Sequence, residues 1–373
     1  MRMKKKTKAG KMLTLVIAAA LAAGILSTAA YAAIDEVSLT VKAAENFEDE
    51  AAKADFEGAK PVVDLYLVAS SEKDAMYDTY NMTLLAPYAD KDDIKITDDM
   101  DNDDWLALAD AAALTAKTDG TPIVKGKALG TKMDAAEDGT KLAPGLYLAI
   151  IHGEADTDYW EEAGTTIATG EVNTYHFSPL LIHLPTKLDE NGDGVIKTSV
   201  EDGSWIPDAS MEINGDWAAD TEVVVKYTHT QNYGDLLIKK HIENFEGTQA
   251  TFVFKVRYME KGADEETERV ATIHMTKSGT NEELVVKLPA GAKITVIEDY
   301  DGARFKPVGS DTVIIESLKA TQGWETENIA EFENEPNGHN VDGYGIENHF
   351  EYSEENGWSH AYKKDPAGKE VHP

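Results

Sequence analysis

The chain has 373 residues and no cysteine. Disulfide frameworks, thiolate zinc sites and thiol nucleophiles are thereby excluded, so any covalent brace must come from other side chains. Positive charge is also scarce, with 35 Lys and Arg against 68 Asp and Glu and a formal net charge of −33. A surface of that sign repels nucleic acid and anionic lipid, and neither is expected as a partner. Beyond the N-terminus no apolar run approaches the roughly 20 residues that cross a bilayer, so no membrane span is expected in the mature chain. Motifs of the GxSxG and HExxH kind are lacking, and the histidines are scattered; His183 and His274 read as packing or surface residues within strands. Catalytic turnover is not expected.

The N-terminus carries a secretory pattern. Arg2, Lys4, Lys5, Lys6, Lys8 and Lys11 precede an apolar run from about Met12 to Leu26, and Ala30-Tyr31-Ala32 supplies small residues at the spacing of a cleavage site. Residues 1–32 are therefore read as a signal peptide and the mature protein as secreted. Most of the mature chain alternates short β-branched and aromatic runs with Gly, Asp, Asn and Pro. "VVDLYLVA", "GLYLAIIH", "TEVVVKYTH", "TFVFKVRY" and "KITVIED" are examples. That texture predicts an all-β chain of tandem immunoglobulin-like β-sandwiches. One short helix is inserted in the first domain over residues 101–117, where "DNDD" provides an N-cap and acidic charge at the positive helix end. The expected boundaries are a first β-sandwich domain over 33–232, a compact second one over 233–336 and a polar C-terminal tail over 337–373.

The second domain opens with "GDLLIKKHI" and places a charge where a core residue belongs. Side chains alternate faces along a strand, so Leu236, Ile238, Lys240 and Ile242 share one face and Lys239 points the other way. By the same parity Glu298 continues the stripe of Ile294 and Val296, and Asn334 that of Phe332. Each has an ordinary alternative taken singly: a snorkelling lysine, an exposed strand end, a turn residue. Taken together they form a reactive set. Desolvation makes an amine neutral and nucleophilic and keeps a carboxyl protonated. Lys240 could then attack the Asn334 carboxamide, with Glu298 shuttling protons, to expel ammonia and leave an isopeptide bond. The amide would replace two costly buried groups.

The segment 234–335 resembles the Cna-B-like domains of Gram-positive surface adhesins and pilins. "GDLLIKK", "LPAGAKITVIE" and "EFEN" match the first-strand, glutamate and closing-strand motifs of that family, although Ile294 stands where tyrosine is commoner. The resemblance implies a Cna-B-like sandwich with the crosslink residues Lys240 and Asn334 and the self-crosslinking catalyst Glu298. Asn348 in "GIENHFEY" is a second candidate acceptor. The first domain resembles, more loosely, the N-terminal domain of sortase-assembled pilins. It is not expected to carry a crosslink of its own, because Ala43 and Ile151 stand at the lysine and acid positions. Lys226, nine residues after Trp217, keeps the spacing of the family's subunit-linking lysine but also reads as an outward strand residue.

The implied role is a pilin subunit or adhesin stalk of a cell wall or fimbrium. Its partners would be other pilin subunits or sortase, with a host or matrix ligand unspecified. No LPxTG-type sorting signal follows Pro336, so either the chain is truncated or the subunit is held by other means. The competing reading comes from "DENGDGVIKTSV". Asp189, Asn191 and Asp193 occupy the first, third and fifth places of a calcium loop, but Val200 stands where a bidentate acid is needed. The run also makes a good β-turn. A calcium-dependent carbohydrate-binding or cellulosome-like surface module is the alternative, and otherwise no cofactor is expected.

Overall fold

The computed structural model describes residues 34–44, 47–74, 79–97, 100–161, 164–187, 217–259, 265–301 and 304–338, with the backbone of a hairpin pairing Phe350–Ser353 and Gly357–His360. The signal-peptide segment, the Asp189-Asn191-Asp193 loop and Asn348 lie outside the described residues. Two compact units are formed. The first comprises the chain up to Asp235 with Val286–Ala292 and Ser317–Glu327; the second comprises Leu236–Val285, Lys293–Glu316 and the chain from Asn328 onward. The fold is all-β, and among the described residues every helix falls in the first unit, the 3-10 turn over Gly323–Glu325 included.

The strands of the first unit are β1 (Ser38–Ala43), β2 (Pro61–Lys73), β3 (Tyr80–Leu84), β4 (Val124–Ala128), β5 (Lys132–Met133), β6 (Gly145–Gly153), β7 (Thr166–Thr169), β8 (Asn173–Phe177), β9 (Leu180–Leu184), β10 (Thr186–Lys187), β11 (Trp217–Ala218), β12 (Asp220–Val225) and β13 (Thr228–Gln231). The central sheet runs β3-β2-β6-β9, with β4 also on β2. It is covered on both faces, which is why β2 and β6 read as nearly unbroken apolar runs instead of alternating. On one side Val63, Leu65, Tyr147, Ala149 and Ile151 pack with Leu39, Val41 and Val223. On the other, Tyr66, Val68, Leu146, Leu148 and Ile150 pack against helix α2 (Asn102–Thr118).

The predicted helix is thus present. It buries Trp105, Leu108, Ala109, Ala112, Ala113 and Ala116, one stripe at 3.6-residue spacing. Asp101 and Asp104 close a reciprocal capping box at its N-terminus, each accepting from the other's backbone N–H at 3.1 Å. The structure adds a second helix that the sequence does not announce, α1 (Glu50–Gly58), whose only buried residue is Phe56. Nothing periodic marks it. Its start is set by Asp49, whose carboxylate accepts the Ala52 N–H at 2.7 Å. Among the described residues no helix is long and apolar enough to cross a membrane.

The second unit is built on β14 (Tyr233–Ile242), β15 (Ala250–Met259), β16 (Glu266–Met275), β17 (Gly279–Pro289), β18 (Ile294–Tyr300), β19 (Phe305–Pro307), β20 (Thr312–Ile315) and β21 (Ile329–Pro336). Two four-stranded sheets result, ordered β17-β14-β21-β19 and β16-β15-β18-β20. The pairings of β15 with β16 and β18, of β18 with β20 and of β19 with β21 are antiparallel. That of β14 with β21 is parallel and sets Lys240 beside Phe332 and Ile242 beside Asn334. The entry to β14 needs its glycine, since a Cβ on Gly234 would come within 2.0 Å of the Lys319 carbonyl oxygen. The space between the sheets is filled by the inward side chains of alternate residues. Leu236, Ile238, Phe252, Phe254, Val256, Ile294 and Val296 are all fully buried. Into this apolar interior the same alternation sends three polar side chains.

Candidate crosslinking site

Lys240 is 0% exposed, Glu298 6% and Asn334 1%. Lys240 and Asn334 lie on adjacent parallel strands of one sheet, two residues apart in register, while Glu298 reaches in from the facing sheet, where it pairs with Phe254. The structure therefore brings together the three residues singled out in the sequence. Lys240 Nζ is 2.6 Å from Glu298 Oε1, and Asn334 Nδ2 donates to the same oxygen at 3.1 Å. A single carboxyl oxygen touches both the amine and the amide nitrogen.

The electrostatics follow from burial. Desolvation pulls the Lys240 amine below the usual ammonium range, with Glu298 pulling against it. Desolvation likewise pushes the Glu298 carboxyl above the usual carboxylate range, opposed chiefly by Lys240. Both shifts favour the neutral forms, an amine with a free lone pair and a carboxyl that keeps its proton. Glu298 Oε2 and Asn334 Oδ1 have no hydrogen-bond partner, and Lys240 Nζ has only its close approach to Glu298 Oε1. The Phe252 ring lies under Lys240, 4.9 Å from Nζ to its centroid.

Two contributors were not singled out in the sequence. Phe252 was accessible to the parity argument, since it sits on the inward face of "TFVFKVRY". The other is the backbone carbonyl of Asp301, which accepts from Asn334 Nδ2 at 3.3 Å. No residue-type signal announces a carbonyl position. Lys239, by contrast, is on the outer face beside the acids Glu282 and Glu331, at 3.6 and 4.0 Å.

The first unit has a parallel pairing of the same kind, lined among the described residues by apolar side chains. Its first strand, β1, also runs parallel with its last long strand, β12, but Leu39, Val41 and Val223 fill the inward places and Ala43 pairs with Val225. Ile151 is a core residue. Lys226 follows the end of β12 and is half-buried. Among the described residues no group of three or more His, Cys, Asp or Glu side chains is arranged to hold a metal.

His183 is fully buried and serves packing. Its Nε2 lies 3.0 Å from Ser71 Oγ and its Nδ1 2.9 Å from the Pro185 carbonyl, which requires the proton on Nδ1 and makes the Ser71 hydroxyl a donor to Nε2. Burial pulls its pKa down to about 4. The unfolded chain therefore takes up the proton first as pH falls. The contribution is complete above the unfolded value near 6.5 and is lost on the way to pH 4, about 3 kcal/mol in all. Denaturant unfolding of the first unit at pH 7 and pH 4 should show that loss beyond the one seen for His183→Gln; equal acid sensitivity in the two proteins would contradict it.

No protein-family model matches the chain, and no characterised protein matches it by sequence. Among solved structures it is similar to the major pilin from Streptococcus pyogenes, at 11% identity over 80% of this chain and 97% of the pilin, with a TM-score of 0.20. A pilus-presented adhesin is matched at 16% identity over 32% of this chain, with a TM-score of 0.21, and the match spans only 31% of the adhesin. The Bacillus anthracis TIE protein is matched at 12% identity over 81% of this chain and 34% of that protein, with a TM-score of 0.22.

Proposed function

We propose that the protein is a secreted structural component of a bacterial surface, a pilin subunit or adhesin stalk, whose second unit forms its own covalent brace between Lys240 and Asn334. The observation that carries this is the buried contact of Glu298 Oε1 with both Lys240 Nζ and Asn334 Nδ2. An ordinary salt bridge has no use for the amide, and an ordinary core has no use for any of the three.

The chemistry is a condensation within one chain. The neutral Lys240 amine adds to the Asn334 side-chain carbonyl carbon, and its lost proton passes to Glu298. The carboxyl returns a proton to the Asn334 nitrogen, which departs as ammonia. One C–N bond forms, one breaks, and Glu298 ends as it began. No cofactor or oxidant is consumed. Glu298 acts by general acid–base transfer through the oxygen already in contact with donor and leaving group. The product is a neutral secondary amide that replaces the buried Lys240 amine and the Asn334 carboxamide, while the Glu298 carboxyl stays in place.

The brace suits a protein under tension. It ties β14 to β21, so a pull along the chain is carried by covalent bonds instead of by the parallel pairing between them. It also supplies, without cysteine, what a disulfide supplies elsewhere. Assembly with other subunits, attachment by a sortase and contact with a surface ligand belong to the same proposal. The test is a protease digest analysed by tandem mass spectrometry. A branched peptide joining the Lys240 and Asn334 segments is expected, and recovery of both as separate linear peptides would overturn the proposal.

A further inference from the structure

We infer that the backbone carbonyl of Asp301 makes the site selective for an asparagine acceptor at position 334, by holding the amide nitrogen in place as the leaving group. The inference rests on the crosslink between Lys240 and Asn334. Asn334 Nδ2 has two acceptors, Glu298 Oε1 at 3.1 Å and the Asp301 carbonyl oxygen at 3.3 Å. An amide nitrogen carries two hydrogens, so both acceptors are served by the one atom that must depart.

The carbonyl decides which way the carboxamide faces. A peptide oxygen can only accept, so turning the side chain over would set Oδ1 against it at the same spacing, two acceptors facing each other in a buried site. Glu298 alone could not enforce this, because a protonated carboxyl can donate to an oxygen as readily as it accepts from a nitrogen. Asp301 follows the last residue of β18, the strand that carries Glu298, so the catalyst and the orienting carbonyl are delivered by the same element. The carbon chemistry would allow an aspartate to condense with Lys240 by losing water instead of ammonia. In this site, however, a carboxylate oxygen would meet the Asp301 carbonyl and Glu298 Oε1 with no hydrogen to offer. Only the protonated acid could be accommodated.

The experiment tracks mass loss over time in Asn334→Asp beside the unaltered full chain. At neutral pH the variant is expected to condense at least about 100-fold more slowly than the asparagine protein, the cost of an acceptor left facing acceptors, and to speed up as pH is lowered. Loss of one water at neutral pH as fast as the asparagine protein loses ammonia would overturn the inference. Asp301→Asn keeps the carbonyl and removes the side-chain charge. Combined with Asn334→Asp it should remain slow, and rapid condensation of the double variant would place the selectivity in the charge and refute the carbonyl's role. Should Asn334→Asp not fold, Lys240→Met leaves Asn334 unreacted. Its side-chain N–H protons should then exchange slowly with solvent in NMR spectra, whereas exchange as fast as an exposed carboxamide would overturn the inference. Full mass in the unaltered chain would instead defeat the crosslink itself, so the two failures are distinguishable.

Discussion

Lys240→Met should lower the unfolding temperature of the second unit by about 20–30 °C. The substitution keeps an unbranched apolar side chain among Phe252 and its neighbours and removes only the nucleophile, so cavity formation contributes little. The loop closed between Lys240 and Asn334 is close to the 100-residue case, for which the chain-entropy model of a crosslink gives about 4.7 kcal/mol. For a domain of this size each kcal/mol moves the midpoint by about 4–8 °C. Calorimetry of the two proteins at equal concentration reads the difference directly. A shift of only a few degrees would mean that the unit holds together without a covalent tie. The first unit, whose β1–β12 pairing is lined by Leu39, Val41 and Val223, should shift by less, since only two short segments of it lie inside the closed loop.

Glu298→Gln should block the reaction while leaving both reacting groups in place. Gln has the shape of the neutral acid but cannot accept the amine proton and hand one to the leaving nitrogen. General acid–base transfer by a positioned side chain is worth about 100-fold or more, so the variant should retain full mass long after the unaltered chain has condensed. Its unfolding midpoint should fall about as far as that of Lys240→Met. The double variant should fall little further, because the same bond is lost only once. Mass loss in Glu298→Gln at the unaltered rate would remove Glu298 from the chemistry and leave it a packing residue.

The site was unusually legible in the sequence because the alternation of a β-strand is regular enough to expose a misplaced charge. Lys240 stands out only against Leu236, Ile238 and Ile242, and its neighbour Lys239, one residue away, carries no such implication. Glu298 and Asn334 were found by the same rule. The sharing of one oxygen, Oε1, by amine and amide was beyond that rule, since it depends on how far apart the two sheets stand. The Asp301 carbonyl was hidden for a different reason: backbone groups have no residue-type signature.

The fold shows the same division. Helix α2 was readable from its acidic cap, whereas α1 buries one side chain and leaves no period to detect. Runs such as "GLYLAIIH" pointed to strands but not to their two-sided burial, which requires knowing that α2 covers one face of the central sheet. Strand order was equally out of reach. The parallel pairing of β14 with β21 joins strands far apart in the chain, and no local pattern in either strand encodes its partner.

The most direct measurement is the intact mass of the mature protein. The purified chain should weigh one ammonia less than its sequence, and Lys240→Met prepared in the same way should show its full sequence mass. An unaltered protein at full sequence mass would contradict the covalent brace outright.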